Sequence, residues 1–83
     1  MDYRIHTPSQ LAAAFRSRRK IRGLTQAEIG QHGGLFPKTV SAMETHPETS
    51  TIESLFKLLA ALDLELVLSP KETERQAANK EEW

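Results

Sequence analysis

The chain has 83 residues, no cysteine, 11 basic and 11 acidic side chains and a formal net charge of zero. One small domain fits this length, a disulfide scaffold and a thiolate metal site are excluded, and association with another chain is the expected aid to so small a core. No run nears the roughly 18 apolar residues of a membrane span and no signal-peptide stretch opens the chain, so a soluble cytoplasmic protein without membrane contact is expected.

The charge is unevenly divided. Residues 1–40 carry seven basic and two acidic side chains, and residues 41–83 carry four and nine. That division suggests one side facing a polyanion and another facing something else. A first helix is expected from Thr7 to Gly23. Thr7 suits the N-cap, Pro8 the first helical position and Gln10 the N3 partner of a capping box. Leu11, Ala14, Phe15 and Arg18 follow at helical spacing, and Gly23 suits the position past the end. Arg16, Arg18, Arg19, Lys20 and Arg22 crowd the last turns, more cations than the helix dipole needs.

A second capping box, Thr25-Gln26-Ala27-Glu28, opens a two-turn helix that Gly33-Gly34 ends. Leu35 reads as a buried turn residue. Phe36-Pro37 starts a third helix over about residues 37–44, with Val40 and Met43 on its apolar face. After a loop through Thr45-His46-Pro47-Glu48-Thr49, Ser50-Thr51-Ile52-Glu53 reads as another capping box. The fourth helix carries the stripe Ile52, Leu55, Phe56, Leu59 and Leu62, and Phe15, Phe56 and Met43 are expected in the core.

At Asp63 the period changes. Leu64, Leu66 and Leu68 alternate with Glu65 and Val67, which is strand spacing. One strand has no backbone partner, so the same segment of a second copy is the expected one. Continuation of the fourth helix, or an extended loop, is the alternative. From Ser69-Pro70 the apolar content collapses. Residues 69–83 read as a flexible acidic and polar tail ending in Trp83, disordered or loosely helical when free.

The segment TQAEIGQHGGLFPKTVSAME, residues 25–44, has the plan of a helix-turn-helix. Ala27 and Gly30 suit a close helix crossing, and Gly34 supplies a positive φ at the turn. Leu35, Val40 and Met43 anchor the second helix so that its polar face projects. Gln26 can reach a phosphate oxygen from the start of its helix. Lys38, Thr39 and Ser41 are donors suited to base edges or phosphates. Phe36, followed by Pro37, either meets a thymine methyl or folds back onto the third helix as a staple.

With Arg19, Gly23 and Leu24 before it, this segment resembles the lambda-repressor-like (Xre-type) helix-turn-helix. The TPSQLAAAF opening, the HPETSTI loop and cap, FKLLAALDLELVL and the tail ending Glu82-Trp83 narrow the likeness to the HipB-like antitoxins. The resemblance implies a mainly α fold, a four- to five-helix domain whose short C-terminal strand pairs across a homodimer through Leu64, Leu66 and Leu68. It implies operator DNA as a partner, with Gln26, Phe36, Pro37, Lys38, Thr39 and Ser41 in the contact. It further implies a HipA-like Ser/Thr kinase toxin on the dimer flank with Trp83 docked on it, and autorepression in the bacterial cytoplasm, on the nucleoid when operator-bound. The division is then 1–68 for DNA binding and dimerisation and 69–83 for the tail.

The chain departs from the family pattern in four places. Phe36 holds the usual polar N-cap of the recognition helix, and Pro37 stands where Gln or Arg often reads a base. Gly33 replaces a branched apolar residue and Gly30 an Ala. By helix propensity each glycine should loosen its helix by roughly 0.5–1 kcal/mol.

Catalytic chemistry is not in evidence. His6, His32 and His46 lack partners at i+3 or i+4, no nucleophile has a motif around it, and Glu81-Glu82 lie in the tail with nothing to hold them. No metal, no cofactor and no enzyme activity are expected. Two other functions fit less well. A stand-alone phage-type or metabolic repressor has no use for the acidic, Trp-ended tail. An interaction protein that does not read DNA has none for the basic half with Gln26, Lys38 and Ser41.

Overall fold

Residues 3–71 are described by the computed structural model. They form α1 (Pro8–Ile21), α2 (Gln26–Gly33), α3 (Pro37–Thr45) and α4 (Ile52–Ala61), with a 3₁₀ turn at Pro47–Thr49. The chain is mainly helical, and no strand forms among the described residues. Residues 65–71 run on from α4 without helix or ladder. A single copy supplies no second strand to the segment 64–68, and an unpaired strand has nothing to hold its backbone groups.

Three of the four helices begin under a threonine hydroxyl. Thr7 Oγ1 accepts from the Gln10 N–H at 3.1 Å, Thr25 Oγ1 from the Glu28 N–H at 3.1 Å, and Thr51 Oγ1 from the Ser54 N–H at 3.0 Å. Each satisfies one of the donors that a helix start leaves without an internal partner. The last cap lies one residue beyond the expected position, at Thr51 instead of Ser50, with Ser54 in place of Glu53 at N3. Helix α3 differs from the rest: its N-cap is Phe36 and no side chain caps it.

Helices α1, α2 and α4 also end alike. Gly23, Gly34 and Asp63 take positive φ values of 69°, 71° and 57°, and a leucine follows each. The N–H groups of Leu24, Leu35 and Leu64 donate back to the carbonyls of Arg19, Gly30 and Leu59 at 3.1, 2.7 and 2.8 Å. All three leucines then pack, partly buried, against the core. This is a Schellman-type stop, in which one residue both ends a helix and seals the core beside it. Leu64, expected at a dimer contact, is therefore engaged in its own chain.

The core joins Phe15 of α1, Ile29 of α2, Val40 and Met43 of α3, and Leu58, Leu59 and Ala61 of α4 with its C-cap Leu62. Phe56 is not in it. Phe56 is 52% exposed and Ile52 69% exposed, and the buried stripe is Leu55, Leu58, Leu59 and Leu62. Positions 52, 55, 56 and 59 have the same spacing as 55, 58, 59 and 62. Periodicity alone cannot say which of two apolar faces on one helix turns inward.

Packing also reverses the expectation for two glycines. A Cβ on Gly30 would lie 2.5 Å from the carbonyl oxygen of Leu35, and one on Gly33 would lie 2.9 Å from that of Lys57 in α4. Both contacts are with backbone, so a flexible side chain cannot absorb them. Gly30 sets how closely the turn folds back on α2, and Gly33 sets the approach of α2 to α4. Gly30→Ala and Gly33→Ala should each lower stability by about 1–3 kcal/mol in urea denaturation, as overpacked sites do. A gain of the size that propensity alone gives, about 1 kcal/mol, would show that these contacts yield freely.

Candidate nucleic-acid interface

Helices α2 and α3 meet through the Gly34-Leu35 turn, with Ile29 and Val40 fully buried between them. The outer side of α3 is set by what points inward. Val40, Met43 and Glu44 are buried, Thr39 and Ser41 lie partly buried on the flanks, and Phe36, Pro37, Lys38, Ala42 and Thr45 are exposed. Of the residues singled out for DNA contact, Lys38 is presented most openly as a donor. Phe36 is 79% exposed, so it does not fold back on α3 as a staple.

The position of this pair depends on a buried charge. Glu44, at the end of α3, is 2% exposed. Arg19 of α1 grips it with two bonds, Nε to Oε2 at 2.7 Å and Nη2 to Oε1 at 3.0 Å, while its Nη1 donates to the Leu24 carbonyl at 3.0 Å. Arg16 Nη1 donates to the Glu44 carbonyl. Gln26 Nε2, at the start of α2, donates to Glu44 Oε1 at 3.2 Å. The hydrogen bonds to Glu44 are the largest cause holding the Arg19 guanidinium above its ordinary range, and burial opposes them. One carboxylate thus ties α1, the first residue of α2 and the last turn of α3 together. Gln26 is held within this network. Its amide carries two N–H donors, and Glu44 takes one of them.

The basic cluster of α1 is mostly inward-facing. Arg16 and Arg19 serve Glu44. Arg18 Nε donates to the Leu62 carbonyl at 3.0 Å, and its Nη2 to that of Asp63 at 3.4 Å, closing the end of α4. Lys20 and Arg22 remain exposed. A count of charges cannot tell a cation bonded to carbonyls from one facing a polyanion. That is why the basic half reads as more of a DNA-facing surface than it is.

Two features escaped the residue-by-residue reading. Glu44 reads from sequence as a polar residue of a short helix; its only signal there is its place in TVSAME together with Arg19. Beside α3, Thr49, Ser50, Thr51 and Ser54 line a shallow groove with Lys38, Thr39 and Ala42. The run of hydroxyls is plain in sequence, but its position next to Lys38 is a product of the fold. Farther along, Leu66 and Leu68 are exposed, at 49% and 89%, as is Val67. Trp83 lies outside the described residues. Among the described residues no helix is long and apolar enough to cross a membrane, and no group of three His, Asp or Glu side chains could hold a metal ion.

No protein-family model matches the chain. It is similar to antitoxin HipB of Escherichia coli strain K12, 35% identical over 79 residues that cover 88% of this chain and 90% of that protein. Antitoxin HipB of strain CFT073 is 33% identical over 79 residues, covering 88% and 84%. Among solved structures, a HipA-HipB-O2-O3 complex superposes with a TM-score of 0.80 at 33% identity, covering 83% of this chain and 97% of that one. A HipB-O4 20mer complex superposes at 0.79 with the same identity and coverage.

The start of α2 carries a pH signature. The Thr25 N–H donates to Glu28 Oε1 at 2.9 Å, completing the capping box. That bond and the contact with the Thr25 side chain hold the Glu28 carboxyl below its ordinary 4.5. A depressed value means the stabilisation is present above 4.5 and lost as pH falls through the folded value. Glu28→Gln should therefore melt below the parent at neutral pH, with the gap closing as pH drops below 4.5. Thermal melts across the acid limb read this directly, and a gap constant with pH would show that the charge at this cap contributes nothing.

Proposed function

The chain belongs to the HipB antitoxin family, and on that premise we propose that it is a dimeric antitoxin and autorepressor that binds operator DNA and a HipA-like kinase toxin. The observation that carries the DNA half is the outward face of α3, with Phe36, Pro37 and Lys38 at its leading end and Thr39 and Ser41 on its flanks. A helix held this way fits a major groove, where Lys38 reaches a base edge or a phosphate. Gln26 lends its second amide N–H to a phosphate while Glu44 holds the first. Lys20 and Arg22 extend the cationic edge.

For the dimer, the exposed segment around Leu66 and Leu68 is the contact, paired with its copy as a two-stranded ribbon. Leu64, partly buried against its own core, stands at the inner edge of that contact, and the uncovered Ile52 and Phe56 add apolar surface on α4. The toxin half rests on the family and on Trp83, a residue type that dominates binding hot spots. The same homology supports an antitoxin rather than an enzyme.

One set of measurements tests both halves. Lys38→Ala should weaken operator binding by roughly fivefold to 150-fold, the value of about 1–3 kcal/mol per specific contact, while sedimentation shows the dimer unchanged. Affinity should also fall steeply with salt as phosphate contacts release counterions. Leu66→Pro, which removes a ribbon donor, should shift sedimentation toward monomer, lower the melting temperature and weaken its dependence on concentration. Binding that ignores both Lys38→Ala and salt would refute the DNA half. A dimer untouched by Leu66→Pro would refute the ribbon.

A further inference from the structure

Phe36 is the most exposed aromatic side chain among the described residues, at 79%. Nothing within the fold accounts for it. It occupies an N-cap, where Ser, Thr, Asp and Asn are strongly preferred, and the other three helices all have a threonine there. The helix gives up a cap to keep a large apolar ring in water.

The surroundings narrow what that ring can meet. Pro37 follows it and has no N–H, and the N–H groups of Thr39 and Val40 both donate to the Phe36 carbonyl, at 2.9 and 3.1 Å. The leading end of α3 is therefore poor in hydrogen-bond donors. It presents the Phe36 ring and the Pro37 ring, with Lys38 as its one exposed cation. In a major groove the base-edge feature open to an apolar group is the C5-methyl of thymine; the other signals are donors and acceptors.

We propose that Phe36 is a specificity-determining residue that selects a 5-methylpyrimidine, with Lys38 fixing the backbone beside it. This rests on the reading of α3 as the DNA-contacting helix. Phe36 makes no hydrogen bond to the base, so what it recognises is the methyl and not the pairing pattern. A thymine at that step is bound and a uracil discriminated against, although both offer the same donors and acceptors.

The test starts from a randomised duplex library selected on the full-length protein. The enriched duplex is then resynthesised with deoxyuridine at one thymine at a time. At one thymine in each half-site the loss of the methyl should weaken binding by roughly fourfold, the value of one buried methyl-sized group. Phe36→Ala should weaken binding to the parent duplex by roughly tenfold and abolish the difference between thymine and uracil at that step. Phe36→Ser should raise the melting temperature of the free protein by about 4–8 °C, because it restores a cap, while losing the same discrimination.

Uniform indifference to uracil, or discrimination that survives in Phe36→Ala, overturns the assignment while leaving DNA binding in place. So does a fall in melting temperature with Phe36→Ser, which would make the ring structural. Loss of kinase-toxin capture in Phe36→Ala with DNA affinity unchanged overturns it too, and gives the ring to the protein partner. Enrichment of no duplex at all overturns both this inference and the DNA reading beneath it.

Discussion

The buried ion pair between Arg19 and Glu44 is the constraint on which the arrangement depends. A carboxylate at 2% exposure is costly to desolvate and is tolerated only when nearly every lone pair is answered. Here the answer comes from two elements at once, a two-pronged guanidinium from α1 and an amide from the first residue of α2. The geometry that satisfies the charge also fixes the end of α3 relative to the start of α2. A hydrophobic contact between the same helices could slide; a bidentate pair with directed bonds cannot do so without leaving a buried charge unanswered.

From that fixed point the division of labour follows. Arg16, Arg18 and Arg19 are consumed in holding helices together, and the cations left exposed include Lys38 on α3 and Lys20 and Arg22 at the end of α1. The apolar residues divide in the same way. Leu24, Leu35 and Leu64 seal the core at three helix ends, whereas Phe36, Phe56, Ile52, Leu66 and Leu68 are left outside it. Apart from Ile5 and Ile21, the exposed large apolar residues mark two regions, the leading end of α3 and the surface of α4 with the segment beyond it. They correspond to the two kinds of contact proposed, one with DNA and one with a second copy.

Local chemistry was legible in the sequence, and relations between distant elements were not. The Thr7 and Thr25 caps, proline at the first helical position and the glycines past two helix ends are short-range signals, and the helices form where those signals lie. The outward Lys38 followed from the inward Val40 and Met43. What could not be seen depended on a second element. The penalty for a side chain at Gly30 or Gly33 comes from carbonyls of Leu35 and Lys57, and a propensity scale has no term for them. Phe56 and Leu58 sit on faces of equal periodicity, and only the packing partner decides between them. The arginines of α1 form a basic cluster in one dimension, but their heads are bonded to carbonyls and a carboxylate in three. A strand over residues 64–68 would need a partner that one copy of the chain does not contain.

The most direct test is a double-mutant cycle on Arg19 and Glu44, read by denaturant unfolding, with Arg19→Met, Glu44→Leu and both together. If the pair is the organising constraint, each single substitution strands the other charge in the interior and costs about 3–5 kcal/mol. The double variant, with apolar side chains of similar size, should recover much of that loss and leave a coupling of at least about 2 kcal/mol. Single losses within about 0.5 kcal/mol that simply add would contradict the account, because they would make the pair one surface contact among many.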